Sequence, residues 1–267
     1  MDKRSCEEML ISVVMPAFNA EKTIGQAIRS VLEQTYQNLE LLIIEDGSAD
    51  RTLSVAEAYA EKDKRVRILP NGGNRGVSYS RNRGVKEAKA EWIAFLDSDD
   101  LWEREKLEKQ IAAILSEPAC PLFYTGSAFV NEQGDGYAYL LHVPERLTYR
   151  ELLKQNLISC SSVVVKKAAL EKHPMRQDPM IHEDFATWLG ILKDGTCAVG
   201  IDEPLLIYRL SSKSKSGKKL RAARMQWLTY RAVGIGRMKA IPYFMIYAWR
   251  NVRKYTKILQ SADRKDT

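Results

Sequence analysis

The sequence predicts an α/β fold built on a Rossmann-like, mostly parallel central sheet flanked by helices. Three observations carry this. Short β-branched runs alternate with segments of helical period over the first 100 residues. The connections between them are short, as strand–helix–strand units require. Polar, chemically useful residues follow the strands, at the end where open α/β sheets hold ligands.

The elements read in order. Residues 11–17 (ISVVMPA) form a buried strand, and 23–34 place Ile24, Ala27, Ile28, Val31 and Leu32 at helical spacing. Residues 39–45 (LELLIIE) are the second strand, with a helix capped by Asp50 running to about residue 62. Residues 66–69 are a third strand, 78–88 a helix and 92–96 (WIAFL) a fourth strand. Beyond residue 100 the pattern predicts a helix over 102–115, then a hairpin of 121–130 and 137–143 around Gly134-Asp135-Gly136. A strand over 161–165, a helix over 183–192, separate strands over 197–201 and 205–209, and basic helices from residue 218 complete the reading.

With 45% hydrophobic residues in 267, the chain has material for a sizeable core. Cys6, Cys120, Cys160 and Cys197 are scattered, without the spacing of a zinc or redox motif, which fits a reducing compartment. The apolar run at 10–17 is too short for a secretory signal, so the expected location is cytoplasmic. The net charge of +7 hides an asymmetry: residues 213–257 hold 13 Lys/Arg and no acid, leaving 28 basic against 34 acidic residues elsewhere. A mildly acidic body and a basic end suit an anionic partner at that end only. No nucleic-acid motif accompanies the basic end, and no G-x-G-x-x-G follows the first strand, which argues against nucleic-acid binding and dinucleotide chemistry.

Four segments concentrate chemistry. Asp97, Asp99 and Asp100 follow the WIAFL strand; carboxylates this close repel unless a cation neutralises them, and hard oxygens suit Mg2+ or Mn2+. On residues alone the same turn also reads as a solvated acidic loop that caps a helix. Asp46 ends the second strand, either as a contact for a nucleobase or ribose or as turn chemistry. Arg75, Arg81 and Arg83 lie around a glycine-rich loop and helix start that suits phosphate, or form an ordinary basic face. His182-Glu183-Asp184 opens a helix, offering a general base or a dipole-favoured cap.

Together, VVMPAFNAEKTIGQAIRSVLEQTY, IIEDGSADRT, NRGVSYSRNRG, WIAFLDSDD and HEDFATW resemble, in order and spacing, the family-2 glycosyltransferases of the GT-A fold, of the bacterial cell-surface polysaccharide type. The resemblance spans about residues 10–210. It implies a catalytic domain over 1–210, with a nucleotide-sugar half at 10–100 and an acceptor half at 101–210, followed by a basic helical extension over 211–267. It further implies that Pro16, Phe18 and Asn19 line the nucleotide pocket, that Asp46 contacts the base and that Arg81 sits near ribose or phosphates. Asp99 would be the direct ligand of Mn2+ or Mg2+, with Asp97 nearer the ribose. Asp184 would be the base and Glu183 would help place the acceptor. The implied reaction is a single displacement with inversion from a nucleotide-sugar donor, UDP favoured, to a hydroxyl of a glycan or lipid-linked saccharide. Transfer to a polyprenyl phosphate, which needs no base, and a non-enzymatic module for anionic polymers are the alternatives. The Gln-x-x-Arg-Trp motif of processive synthases is matched only loosely at Arg224-Met225-Gln226-Trp227, favouring one sugar per encounter. Residues 241–249 (IPYFMIYAW) are too short to span a bilayer, and flanking cations suit peripheral docking on an anionic membrane.

Overall fold

Alternation along the first strand divides the interior in two. A computed structural model describes residues 9–210 and 219–262; Cys6 and the basic residues 213–218 lie outside the described residues. In β1 (Ile11–Ala17), Ile11, Val13 and Met15 face one apolar cluster and Val14 faces the other. Successive strand side chains point to opposite faces, so a strand buried throughout must be covered on both.

The elements follow the order expected of the first half. They are β1, α1 (Ile24–Leu32), β2 (Leu39–Glu45), α2 (Thr52–Ala60), β3 (Val66–Pro70), α3 (Val77–Glu87) and β4 (Trp92–Phe95). Then come β5 (Leu101–Trp102), α4 (Lys106–Ser116), β6 (Leu122–Val130), β7 (Gly136–Leu141), β8 (Arg146–Leu147) and α5 (Tyr149–Leu152). A 3-10 turn (Cys160–Ser162), β9 (Val164–Lys166), α6 (Lys167–Lys172), α7 (Glu183–Lys193), β10 (Ala198–Arg209), α8 (Lys219–Ala232) and α9 (Arg237–Ala262) complete the chain.

The sheet runs β3-β2-β1-β4-β9-β6-β10-β5, with β7 beside β6 and β8 beside β10. Strands β3, β2, β1 and β4 pair in parallel, and β6 pairs in parallel with β10. Strand β9 is antiparallel to both β4 and β6, so these six strands share one direction and the sheet as a whole is mixed. Helices α1, α2 and α4 cover one face through Ile28, Ala56 and Ile111. Helices α3, α7 and α8 cover the other through Val85, Trp188 and Tyr230.

Several second-half expectations change. Residues 101–102 pair with β10 as a strand, and the helix starts only at Lys106. The Trp102 indole donates to Ser161 O at 2.7 Å, which holds it in the sheet layer. The segment read as a strand at 161–165 is a 3-10 turn leading into the shorter β9. The two late strands are one, β10, whose register on β6 shifts between Ile201 and Leu206. Exposed Asp202-Glu203 before Pro204 forms that irregularity, and its polar run reads as a loop. Asp50 sits one residue before the α2 cap, Arg51, and its carboxylate accepts the Thr52 N–H at 2.9 Å.

The basic helices pack on the common core. Met225, Gln226, Thr229 and Tyr230 of α8 are buried, and the Tyr230 hydroxyl donates to Leu153 O at 2.5 Å.

Candidate active site

The turn after β4 is linked to the start of α7 through Arg81, and the ends of β1 and β2 meet each other beside it. At the end of β1, Pro16 is buried within the strand, opposite Ile44, while Phe18 is 46% exposed. Asn19 adopts φ 49°, and its backbone N–H and side-chain oxygen bind Ser48 Oγ at 3.1 Å and Ala49 N at 2.9 Å. Asparagine tolerates this left-handed geometry, so the residue locks the β1 end to the loop after β2. In that loop Gly47 has φ 75°, and a Cβ there would lie 2.7 Å from the Gly73 backbone. Only glycine lets the two loops pass.

Asp46 is buried and organises the glycine-rich loop. Its carboxylate accepts the Asn71 side-chain amide at 2.7 Å, Arg75 N–H at 2.8 Å and Gly76 N–H at 2.9 Å. The loop is thereby fixed at the start of α3. Arg83 turns away to Pro70 O at 2.6 Å and Asn71 Oδ1 at 2.8 Å, bracing the same loop from outside. Arg75 lies over the Tyr79 ring at 4.5 Å.

Arg81 points inward from α3 and joins the two acidic segments. One guanidinium nitrogen donates to Asp97 Oδ1 at 2.6 Å and the other to Glu183 Oε1 at 3.1 Å. Burial opposes its charge, but Asp97, Cys160 and Glu183 outweigh that and hold its pKa above the ordinary value. The residues read separately as a strand-end acid, a helix arginine and a helix-start acid are one linked constellation.

Asp99 is half-buried, and among the described residues its carboxylate accepts no hydrogen bond from another side chain. Burial, and then the Asp97 charge, push its pKa up to about 6. Asp100 is fully enclosed and raised further by burial and by its acidic neighbours; its Oδ1 accepts the Arg209 N–H at 2.9 Å. This donor set is hard oxygen with excess negative charge, which fits a divalent cation. Among the described residues no three His, Cys, Asp or Glu side chains are grouped to hold one, so a cation here needs further oxygens from a ligand such as a diphosphate.

Asp184 is half-buried in the first turn of α7, where its Oδ1 accepts the Phe185 N–H at 2.7 Å. Burial, then the Glu183 charge, raise its pKa, against Arg81 and His182. A carboxylate so raised holds a proton better. Burial pushes the Cys160 thiol well above its ordinary value; the Arg81 charge opposes this and the charges of Asp97, Asp184 and Glu183 add to it. The His182 backbone N–H donates to Thr229 Oγ1 at 2.9 Å, tying the turn that starts α7 to α8.

Sequence reading missed Arg209. At the end of β10 it is buried and donates to Asp99 O at 2.9 Å, Gln26 Oε1 at 3.1 Å and Glu132 O at 3.2 Å. It therefore clamps the acidic turn to α1 and to the β6–β7 hairpin. Its only sequence signal was an arginine closing an apolar strand. Ser161 Oγ, which accepts the Asp97 N–H at 3.1 Å, was likewise hidden in a segment read as plain strand.

Comparison with known proteins agrees with this layout. A mannosyltransferase from Pyrobaculum calidifontis, solved with GDP-Man and Mn2+, superposes with TM-score 0.68 at 18% identity, covering 95% of this chain and 73% of that one. At that identity the likeness shows the fold, an α/β GT-A arrangement. TuaG of Bacillus subtilis (strain 168), a glycosyltransferase whose name places it provisionally in teichuronic acid biosynthesis, is 36% identical over 92% of this chain and 97% of its own. The Escherichia coli UDP-Glc:alpha-D-GlcNAc-diphosphoundecaprenol beta-1,3-glucosyltransferase WfgD is 36% identical over 83% of this chain and 85% of its own. The model of glycosyl transferase family 2 matches residues 12–173, and with the acids, Arg81 and the helix-start pair placed as described, the chain belongs to that family and is a glycosyltransferase.

Proposed function

We propose that this enzyme transfers one hexose, with inversion, from a UDP-sugar to a hydroxyl of a lipid-linked saccharide during cell-surface polysaccharide synthesis, at the cytoplasmic face of the membrane. The observation that carries the reading is the Arg81 bridge, which holds Asp97 and Glu183 through the two terminal nitrogens of one guanidinium. The geometry supports a donor on the Asp97 side and an acceptor on the Glu183–Asp184 side. The WfgD name, with a UDP-sugar donor and a diphosphoundecaprenol acceptor, supports the substrate classes.

Asp184 takes the proton of the acceptor hydroxyl; the oxygen attacks the anomeric carbon, and the bond to the nucleoside diphosphate breaks. Its raised pKa suits that task, and such a base contributes roughly 10²–10⁴-fold in rate. Glu183, neutralised by Arg81, is placed to orient the acceptor. Phe18, Asn19 and Pro16 at the β1 end, with the loop held by Asp46, shape the nucleotide side. Mn2+ or Mg2+ at Asp99, with Asp97 beside it, would neutralise charge on the diphosphate. The shape of the loops within residues 125–180 sets the choice of sugar and acceptor.

A thermal-shift screen of UDP-, GDP- and dTDP-sugars with Mn2+, Mg2+ or EDTA tests the reading. Ligand at about 100 times its Kd adds roughly 2.7 kcal/mol of stability, a readable shift. We expect a UDP-sugar to stabilise the enzyme only with metal. Equal shifts in EDTA, or a shift with GDP-sugars alone, would overturn it.

A further inference from the structure

Among the described residues, every exposed large apolar side chain except Phe18 and Leu140 lies on α9. Met238, Ile241, Met245, Trp249 and Val252 are 82%, 45%, 66%, 58% and 66% exposed. Their spacing of three or four residues places them within an arc of roughly 80°, on a stripe about 21 Å long. The opposite side of α9 is accounted for: Ala240 and Ile258 are buried, and Tyr243, Phe244 and Tyr247 pack on the core. The helix is therefore fixed to the body while presenting an unpartnered apolar ridge to solvent.

Cations border the ridge on one side. Arg253 lies over the Trp249 ring at 4.8 Å, and Lys254 over Phe129 at 5.4 Å. With Arg250, Lys257 and Trp249 they line, against Tyr139 and Gln155, an open surface cavity of about 330 Å³. Residues 219–262 carry ten Lys/Arg and no Asp or Glu. No acid within these helices neutralises the cavity. Burial has already pushed the Lys254 ammonium down to about 8, a cost that an anion in the cavity would offset.

We infer that α9 is an interfacial helix: its apolar ridge enters the headgroup–acyl boundary of an anionic bilayer, and the Arg250–Arg253–Lys254–Lys257 cavity seats a lipid phosphate headgroup. Charge selects this occupant over a second copy of the chain, since a symmetric pair would set like cation rows against each other. An apolar ridge with one cationic border is the pattern of helices lying in the interface plane. The inference deepens the lipid-linked acceptor reading, because it names the surface from which that acceptor is reached. Its test does not use turnover.

The test is co-flotation of the full chain with vesicles of phosphatidylcholine alone or phosphatidylcholine:phosphatidylglycerol 3:1, in low and high salt. Binding is expected to the anionic vesicles and to weaken with salt. Arg253→Ala with Lys257→Ala should lower vesicle affinity on the order of 30-fold, at about 1 kcal/mol per cation. Met245→Glu with Trp249→Glu should abolish flotation. Both pairs are at exposed positions, and an unchanged melting curve and UDP-sugar thermal shift would show that fold and donor site are intact. Equal binding to neutral vesicles, or flotation unaffected by either pair, would overturn the inference. So would concentration-dependent dimers in sedimentation with no vesicle binding, or stabilisation by inorganic phosphate through Arg253 and Lys257 without flotation. If flotation behaves as expected while no UDP-sugar binds, the docking surface stands and the donor assignment fails.

Discussion

Arg81 is the residue on which the two acidic segments depend. Its side chain is 5% exposed and its partners Asp97 and Glu183 are 31% and 12% exposed, so the Glu183 contact is shielded from water and the Asp97 contact partly so. Removing one partner of a buried ion pair leaves uncompensated charge and costs about 3–5 kcal/mol. Arg81→Met should lower stability toward that range in urea unfolding. Arg81→Lys should keep the charge but lose one of the two contacts, because an ammonium lacks the planar fork, and should fall between. Asp99→Asn should remove the metal dependence of the donor-induced thermal shift while leaving the fold intact, since no described side chain bonds to its carboxylate. The acids themselves were legible in the sequence as carboxylates at strand and helix ends. Their joining was not: Arg81 lies 16 residues from Asp97 and 102 from Glu183, and nothing local reports a contact of that span. Arg209 was invisible for the same reason, since its partners come from α1, the acidic turn and a hairpin.

Among elements, α3 lies unusually close to β1. A Cβ at Gly84 would stand 2.3 Å from Val14 Cγ1, so glycine at that point lets helix and strand meet. Gly84→Ala should destabilise by about 1–3 kcal/mol, despite alanine's better helix propensity, as overpacking outweighs propensity. Circular-dichroism melting reads this directly. The first-half elements were legible because each strand is a short, mostly apolar run and α1 carries a clean apolar stripe, so period and length agree there. The second half was less so. Residues 101–102 sit in β5 because β10 supplies a pairing edge and Ser161 O binds the Trp102 indole, both distant in sequence. In β10 the polar Asp202-Glu203-Pro204 insert conceals a continuous strand that pairing with β6 restores on either side.

At the scale of the whole molecule, both faces of one mixed sheet are covered, and α8 belongs to that cover. Tyr230 is fully buried against Phe185, with ring centroids 6.3 Å apart. Tyr230→Ala should cost about 3–5 kcal/mol, comparable to other large aromatic deletions. The same substitution should loosen the Asp184 turn, which Thr229 holds through His182. Acid sensitivity should arise at the far end of the sheet. Burial raises the pKa of Glu40, but Ser12 Oγ, the Lys89 N–H and Arg67 together bring it below the usual value. A carboxyl lowered in the folded state adds stability above its unfolded pKa and loses it as pH falls through the folded value. Urea midpoints should therefore drop below about pH 4, and drop less steeply in Glu40→Gln.

Turnover and donor binding of Asp184→Asn, measured side by side, test the central claim most directly. The account predicts kcat lower by about 10²–10⁴-fold with donor affinity within a few fold of the parent enzyme. Near-parental kcat would contradict it, because the acceptor would then reach the anomeric carbon without a base, as an already anionic polyprenyl phosphate would.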